Sequence, residues 1–338
     1  MAFLQVIEPG LQTTIQDTGR VDAQRFGFPA SGSVDRAATR LANLLVGNAE
    51  GTAVLEFPLV GPTLEFERST FIALTGARFK AELNHALIPM NQCLQVQAGD
   101  ILKIGPVEKG RIGYLAIAGG IQTAPVLGSQ STTIRLHLGG FHGRALEAGD
   151  LIPIKKQTVL TSFYHRRAQA QRLPNQDEII KIRLIKGPQW QWFDHLNQQR
   201  LFQGTFKVTN QADRMGYRLG GTKLQVPKKN LLSTATVRGA LQIPQNGEPI
   251  VLMADRQTTG GYPVIAVIAT IDLGYFAQCQ AGQKIQFELI TLEQARQALD
   301  QLRQELDQFE QTVLAGKYRP PYGISRVASQ RISRMLEE

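Results

Sequence analysis

Short apolar segments that directly follow glycine turns constrain the fold of this chain more than any other feature of its sequence. The pattern recurs at 98–104, 148–154 and 281–287, where Ala-Gly-Asp or Ala-Gly-Gln leads into an apolar run. Such runs, bounded by turn residues, are typical of β-strands. The 32 glycines and 16 prolines supply many further turns. Strands this closely spaced favour barrels or sandwiches over a sheet with crossover helices, so we predict a mainly β fold.

Two segments have the spacing of helices instead. The first starts at Ser33, the predicted N-cap, and stops at Gly47. The second opens with a capping-box pattern at Thr291 and presents an apolar stripe from Leu292 to Val313. Because Gln and Glu rather than Lys and Arg cover its polar face, we expect this helix to pack on the protein's own core or on a partner subunit, and not on a membrane.

These patterns divide the chain into five segments. We predict an N-terminal β-barrel-like domain at 1–155, a basic linker at 156–178, a second β-barrel-like domain at 179–290, an amphipathic helix at 291–316 and a basic tail at 317–338. The linker is placed where apolar periodicity is lost and basic and Gln residues accumulate.

The net charge of +9 does not indicate nucleic-acid binding, because of where the charge lies. Residues 155–172 carry five basic side chains and no acid (+5), and residues 317–338 carry five basic and two acidic ones (+3), which together supply +8 of the +9. Neither segment interleaves aromatic residues as a single-strand binder does.

No apolar run is long enough to span a membrane, and the first residues lack the basic region of a signal peptide. We therefore predict a cytoplasmic protein that binds neither nucleic acid nor membrane.

Cysteines and histidines give no sign of a disulfide framework or a metal site. The two cysteines, Cys93 and Cys279, lie far apart and are predicted to be buried free thiols. The five histidines include no H-E-x-x-H arrangement, so no metal is predicted.

The segment 255–263, Asp-Arg-Gln-Thr-Thr-Gly-Gly-Tyr-Pro, is the strongest candidate for a functional site. It connects two apolar runs, 249–254 and 264–268, that are typical of buried strands. Rigid strands hold such a loop still, and its paired glycines allow the backbone to approach a ligand closely. The alternative is a loop that merely caps its own backbone with Asp and Thr side chains.

Other polar clusters rich in glycine predict a cleft shared between several loops. They stand at 13–20, 31–36, 127–132, 139–144 and 213–219. Arginine offers a planar fork to carboxylates, and hydroxyls and backbone amides add neutral donors. Such a cleft suits an anionic or carboxylate-bearing small molecule. Asp-Arg pairs that only tie loops together are the alternative.

Several catalytic motifs are missing from the sequence. It has no G-x-x-x-x-G-K-[ST] phosphate loop, no G-x-G-x-x-G opening a helix and no G-x-S-x-G elbow. It also lacks the Met-Lys-Met sequence that carries covalent biotin. We therefore expect no covalent biotin on this chain, and we expect ATP to be bound with or by partner subunits.

In its ordered motifs the chain resembles the biotin-dependent carboxyltransferase family, also called allophanate hydrolase subunit 2, KipA or the C subunit of 5-oxoprolinase. The resemblance covers roughly residues 3–290, and the matching segments are 9–20, 31–32 with Asp35, 42–48, 55–56, 74–77, 114–120, 127–129, 213–216 and 255–263. Val34 stands where the family usually has Met, and Asp22 or Ala23 stands where it usually has Gly.

The resemblance implies two cyclophilin-like β-barrel units with a cleft between them, plus a C-terminal helix. It also implies a component of an ATP-dependent 5-oxoprolinase, which cleaves 5-oxo-L-proline to L-glutamate together with two partners, an A subunit and a KipI-like B subunit. Two alternatives stay open. One is a carboxyltransferase that moves a carboxyl group from carboxybiotin to urea or a related amide. The other is a KipA-like regulator that binds a kinase inhibitor.

The 5-oxoprolinase and the carboxyltransferase each require a site that binds an amide and stabilises an oxyanion. We predict catalytic roles for Asp255, Arg256, Gln257 and Thr258, with Asp255 acting as base or orienting Arg256. The predicted substrate-binding residues are Arg20, Arg214, Thr259, Tyr262 and Ser129.

Overall fold

A nine-stranded sheet and a closed seven-stranded barrel form most of the computed structural model, which describes residues 2–155, 166–169, 171–227, 229 and 231–316. The strands of the sheet are β1 (Ala2–Glu8), β2 (Thr14–Gln16), β3 (Val54–Pro58), β4 (Thr63–Phe66), β5 (Thr70–Leu83), β6 (Ala86–Leu87), β7 (Cys93–Val96), β8 (Ile101–Ile117) and β9 (Leu151–Ile154). The later strands are β10 (Ile180–Lys186), β11 (Phe206–Ala212), β12 (Gly216–Gly221), β13 (Thr234–Ala235), β14 (Ala240–Gln242), β15 (Ile250–Leu252), β16 (Thr259–Gly260), β17 (Val264–Ile268) and β18 (Lys284–Leu289). The α-helices are α1 (Arg36–Val46), α2 (His195–Gln203), α3 (Thr270–Ala277) and α4 (Leu292–Gly316).

Two long strands shape the first sheet. Its order is β2-β3-β8-β4-β1-β9, and β5 pairs with β6, β7 and β8. The pairing of β5 with β8 extends from Ile72 opposite Ile117 to Leu83 opposite Leu102, with register shifts that begin after Gly76. Such bulges bend strands and increase their twist. The long strands therefore curl the sheet into a half-barrel.

The second unit closes on itself. Its order is β10-β17-β14-β15-β12-β11-β18, and a parallel pairing of β10 with β18 completes the ring. Alternate residues of β10, including Ile182 and Leu184, are fully buried, as expected where one strand face points into a filled barrel. The strands β13 and β16 lie outside the ring as a two-stranded ribbon.

The prediction of a mainly β fold with barrel-like units and a C-terminal helix is confirmed. Helix α1 packs against β5 and β8, and its buried face shares one hydrophobic core with the barrel strands. A second core lies within the first sheet. The two units therefore meet along α1.

The N-cap of α1 is Asp35, whereas the sequence predicts Ser33. The Asp35 carboxylate accepts the N–H of the residue three positions on, at 3.1 Å. Ser33 and Val34 are kept out of the helix because other elements hold their backbone. Val34 donates its N–H to a carboxylate of β3 (3.0 Å), and Arg238 of the second unit donates to the carbonyls of Ser33 and Val34. The predicted stop at Gly47 is confirmed, with φ of 73°.

Helix α4 packs on α1 and α3 of its own chain. Arg40 of α1, 9 % exposed, forms ion pairs with Asp307 and Glu310 of α4. Phe309 packs against the main core, whereas Leu292 at the start of the helix is 72 % exposed. The helix thus packs on the protein's own core, which is one of the two outcomes that the sequence predicts.

Some predicted segments lie outside the described residues. These are the basic tail at 317–338 and, within the basic linker at 156–178, residues 156–165 and 170. The predicted segment boundaries stay predictions. Among the residues that the structure describes, no helix combines the length and apolar character needed to cross a membrane.

Candidate functional site

The side chain of Arg214 joins the two units. We call the polar contacts between the first sheet and the barrel, centred on Arg214, Asp255 and Glu56, the junction. Arg214 lies in the turn between β11 and β12 and donates to both carboxylate oxygens of Asp255, from Nε at 2.8 Å and from Nη2 at 2.9 Å. Its Nη1 donates to Glu56 of β3. Its Nη2 also reaches Gln16 Oε1 of β2 (3.1 Å) and the carbonyl of Gly32 (2.8 Å). One guanidinium thus fixes the end of β15 against the first sheet.

Two carboxylates balance the charge of this guanidinium. The side chains of Arg214, Asp255 and Glu56 are 14 %, 11 % and 3 % exposed. Burial alone would lower the pKa of Arg214, but Asp255 and Glu56 outweigh it and hold that pKa above its ordinary value. Tyr114 lies behind Glu56, and burial followed by the nearby carboxylates raises the Tyr114 pKa well above its ordinary value. Arg214 therefore stays charged and Tyr114 stays neutral around neutral pH.

Asp35 and Gln278 form a second tie between the units. The buried Asp35 carboxylate accepts from Gln278 Nε2 at 3.0 Å, and Gln278 Oε1 accepts the N–H groups of Arg111 and Ile112 at 2.9 Å each. Burial raises the pKa of Asp35 despite these hydrogen bonds. The start of α1 is thereby held against the end of α3 in the second unit.

The predicted loop at 255–263 is held by Gln24 from the first unit. Arg256, 8 % exposed, donates from Nη2 to Gln24 Oε1 at 2.9 Å. Gln24 in turn donates from Nε2 to the carbonyls of Thr258 (3.0 Å) and Thr236 (2.8 Å). The Nε of Arg256 is buried and has no hydrogen-bond acceptor among the residues that the structure describes. The loop is thus fixed by its surroundings, and one strong donor stays unused.

Four further side chains of the predicted loop are wholly or partly accessible. Gln257, Thr259 and Tyr262 are exposed and Thr258 is half-buried. Pairing of β13 with β16 supports this part of the loop from one side. These four side chains therefore lie on the outer side of the Arg256 contact, where a ligand can reach them.

Asp255 does not orient Arg256, the second of the two roles predicted for it. Both of its carboxylate oxygens accept from Arg214, and its backbone N–H donates to the Arg214 carbonyl at 2.7 Å. This backbone bond sets Asp255 beside Arg214, while the next residue, Arg256, extends to Gln24. Both of its oxygens thus hold Arg214 in place, and its predicted role as a base stays a prediction.

Arg20 and Ser129 belong to a neighbouring group centred on Asp17. The Asp17 carboxylate accepts from the hydroxyls of Ser129 (2.6 Å) and Ser131 (2.5 Å). Arg20, 1 % exposed, donates to Thr133 Oγ1 (2.9 Å) and to the carbonyl of Ser131. These contacts engage Ser129 and Arg20 internally and tie their loops together. In this structure the two side chains therefore position the loops around Asp17.

A polar depression of about 650 Å³ opens beside this group. Asp17, Thr18 and Gln130 are among its lining residues, and Arg36 of α1 donates to the carbonyl of Thr18 at 3.1 Å. Within the described ranges, no group of three or more His, Cys, Asp or Glu side chains is placed to hold a metal ion.

Arg36 and Arg238 bring two further positive charges to the junction. Burial, and then the charge of Arg36, lowers the pKa of Arg238 to about 10. The same two causes, in the same order, lower the pKa of Arg256. Arg36 stands in the predicted polar cluster at 31–36, but sequence reasoning does not single out Arg238, because nothing in its local pattern shows that the fold brings it near Arg256.

Glu56 and Gln24 are also missed as site residues by sequence reasoning, and Gln16 is noted only as part of the cluster at 13–20. Glu56 carries a usable signal, since it is a lone acid in the apolar run 53–57 and a buried charge requires a partner. Gln16 and Gln24 are neutral amides in turn-rich segments, and such residues lie on most protein surfaces.

Comparisons with known proteins agree with the motifs. A family model described as "Carboxyltransferase domain, subdomain A and B" matches residues 26–289. The C subunit of 5-oxoprolinase from Escherichia coli (strain K12) is 39 % identical over 297 residues, covering 88 % of this chain and 94 % of that protein. Its counterpart of the same name from Haemophilus influenzae is 36 % identical over 294 residues, covering 87 % of this chain and 93 % of that protein.

A solved structure gives the same result for the fold. The crystal structure of Kluyveromyces lactis urea carboxylase matches with a TM-score of 0.84 and 31 % identity, over 91 % of this chain and 29 % of that one. This chain therefore corresponds to less than a third of that larger protein. The family model covers the whole barrel, the first sheet from β3 onward and the loop that carries Arg256. The chain belongs to the family of carboxyltransferase domains built from subdomains A and B.

Proposed function

We propose that this chain is the C subunit of an ATP-dependent 5-oxoprolinase, which cleaves 5-oxo-L-proline to L-glutamate. The observation that carries the proposal is the match to two proteins that bear this name, at 39 % and 36 % identity over more than nine-tenths of each. The match to urea carboxylase, by contrast, covers 29 % of that chain.

The geometry of the loop at 255–263 supports a role in binding and polarising an amide. When water opens the ring C–N bond, negative charge develops on the former amide oxygen, and donors aimed at that oxygen lower the barrier. The Arg256 guanidinium has an unused buried donor at Nε. Gln257, Thr258, Thr259 and Tyr262 lie on the accessible side of the same loop. In this proposal Arg256 stabilises the oxygen and these neighbours orient the substrate.

The remaining predicted residues have supporting roles in the same proposal. Arg214 holds Asp255 at the root of the loop through two hydrogen bonds. Arg20 and Ser129 fix the loops around Asp17 on the opposite side of the junction. Residues held this firmly keep a site in its working geometry, which mutation of a supporting residue loosens.

The proposal includes two partner proteins. We infer that an A subunit and a KipI-like B subunit complete the enzyme in the cytoplasm, and that ATP is bound with or by them. The absence of a phosphate-loop motif in this sequence supports that placement of ATP. In this scheme the two partners supply activation of the amide by ATP, and this chain binds and orients it.

The deciding experiment mixes the purified chain with the A and B subunits, ATP and 5-oxo-L-proline. We expect L-glutamate and ADP to appear in equal amounts, and we expect neither product when this chain is omitted. Glutamate formation at the same rate without this chain, or none from the complete mixture, would overturn the proposal.

A second candidate is a carboxyltransferase that uses carboxybiotin, and the urea carboxylase structure favours it. Its test replaces the A and B subunits by a biotin carboxylase and a biotin carrier, with ATP, labelled bicarbonate as carbon source and urea as acceptor. Label transferred to urea in this mixture would support the second candidate. The KipA-like regulatory role stays a prediction.

A further inference from the structure

Three arginines at the junction form no ion pair with a carboxylate of the described residues, although the charge of Glu56 acts on Arg238 without direct contact. They are Arg36 at the start of α1, Arg238 before β14 and Arg256 in the loop after β15. Their hydrogen bonds go to neutral oxygens: the carbonyls of Thr18, Ser33 and Val34 and the amide of Gln24. In the part of the chain that the structure describes, none of the three forms an ion pair with Asp or Glu.

Contacts between the units bring these three side chains to one place. Arg238 binds the two carbonyls that precede Asp35, directly before Arg36. Gln24 accepts from Arg256 and donates to the carbonyl of Thr236, two residues before Arg238. The positive charge of Arg36 acts on both Arg238 and Arg256, lowering the pKa of each in addition to the effect of burial.

The other arginines of the junction differ from these three. Arg214 is neutralised by Glu56 and Asp255. Arg20 also leaves its buried Nε without an acceptor among the described residues; burial lowers its pKa, and Asp17 and Asp255 offset only part of that effect. Arg40 is paired with Asp307 and Glu310. Arg214 and Arg40 are thus held in ion pairs, whereas Arg36, Arg238 and Arg256 form none with the described carboxylates.

The group also has unused donors. The Nε atoms of Arg238 and Arg256 are buried, and neither has a hydrogen-bond partner in the described part of the chain. A buried donor without an acceptor is unfavourable, and a planar anion with two oxygens is the acceptor that guanidinium groups match best.

We propose that Arg36, Arg238 and Arg256 form a binding site for the carboxylate of an anionic amide substrate. The inference deepens the proposed function, on which it rests, by assigning the 5-oxo-L-proline carboxylate to these arginines and its ring amide to the outer part of the loop. Urea is neutral and has no group that such a site would bind. The site therefore selects for cyclic or linear amides that carry a carboxylate.

The test measures binding to the full-length chain, by itself and assembled with its two partners, by titration calorimetry. The probes are 5-oxo-L-proline, the neutral lactam 2-pyrrolidone, and tetrahydrofuran-2-carboxylate, which has the ring and the carboxylate but no amide. We expect both carboxylates to bind and 2-pyrrolidone to bind much more weakly.

The variants remove one charge at a time. Arg238→Gln and Arg256→Gln should each weaken carboxylate binding by roughly 10- to 100-fold, the loss expected for a charge-assisted hydrogen bond in a buried site. Arg36→Gln should weaken it by roughly 2- to 5-fold, because that side chain is exposed. Arg78→Gln removes the same charge from an exposed position on β5, outside the predicted clusters, and should leave binding unchanged.

Thermal melting of each variant shows whether it folds, and Arg36→Gln keeps the test usable if Arg238→Gln does not. Equal affinities in wild type, Arg36→Gln and Arg256→Gln would overturn the site, and so would failure of both carboxylates to bind at millimolar concentration. Arginine-dependent carboxylate binding in a mixture that forms no glutamate would keep the site and refute the proposed function. If these variants form glutamate with an unchanged KM for 5-oxo-L-proline, the proposed function stands and the carboxylate site is refuted.

Discussion

At the scale of single residues, this junction contrasts two arginines that lie close together. Arg214 makes bidentate contact with Asp255 and also binds Glu56, so its charge is used for structure. Arg256 meets a neutral amide and retains an unused donor. Bidentate guanidinium–carboxylate pairs hold groups in place, whereas a buried arginine without a counterion attracts an anionic ligand. The same residue type thus has a structural role in one position and a proposed binding role in the other.

The two cysteines make a prediction about alkaline stability. Both are free and buried, as the sequence predicts, and burial raises the pKa of each thiol to about 12. In the unfolded chain a thiol titrates near about 8.5. As pH rises between these values, the unfolded chain releases protons that the native chain retains. Each thiol should therefore lower the free energy of unfolding by about 1.4 kcal/mol per pH unit above about 8.5.

Urea unfolding at several pH values between about 8.5 and 9.5, below the ordinary tyrosine pKa of about 10, checks this. In the double variant Cys93→Ala/Cys279→Ala the fall of unfolding free energy with pH should be much shallower, whatever the cost of the cavities at neutral pH. Identical slopes in the variant and the wild type would show that these thiols do not titrate as their burial indicates.

At the scale of elements, helix α4 offers a test of what an amphipathic stripe is for. Phe309 packs against the core and is half-buried. Phe309→Ala should lower the free energy of unfolding by roughly 1–2 kcal/mol, below the roughly 3–5 kcal/mol typical of a fully buried phenylalanine. Gln308→Ala, one position away and exposed, should change it by less than about 0.5 kcal/mol. If both variants unfold at the same urea concentration as the wild type, α4 contributes nothing by packing on this chain.

The elements also show what sequence patterns can and cannot give. The stop of α1 at Gly47 follows from local chemistry, because glycine accepts the left-handed conformation there at no steric cost. The start of α1 does not, because Arg238, which donates across a separation of 204 and 205 positions, holds the carbonyls of Val34 and Ser33. Likewise, the turns predict the strands, but the bulges that bend β5 and β8 depend on pairing between distant residues.

At the scale of the whole molecule, the candidate site forms where the first sheet and the barrel pack together. The sequence marks the loop at 255–263 by its position between two apolar runs. It does not pair Asp255 with Arg214, or Arg256 with Gln24, because these contacts join residues 41 and 232 positions apart. Motifs therefore identify the loop and the family, and tertiary contacts decide what each side chain of the loop faces.

The final prediction concerns the ion pairs that connect the units. Arg214→Met leaves Glu56 and Asp255 buried without a counterion, which should cost roughly 3–5 kcal/mol. Because one hydrophobic core runs through α1 and the barrel, calorimetry of the wild type should show a single transition. The variant should melt at a clearly lower temperature.

A triple variant separates lost charge balance from lost contact. Adding Glu56→Gln and Asp255→Asn to Arg214→Met removes the unpaired charges, so part of the lost stability should return even though every contact of the guanidinium is missing. Arg218→Met, exposed on β12, is the matched control and should melt like the wild type. If Arg214→Met also melts like the wild type, the junction does not depend on these ion pairs, and the placement of the loop at 255–263 has another cause.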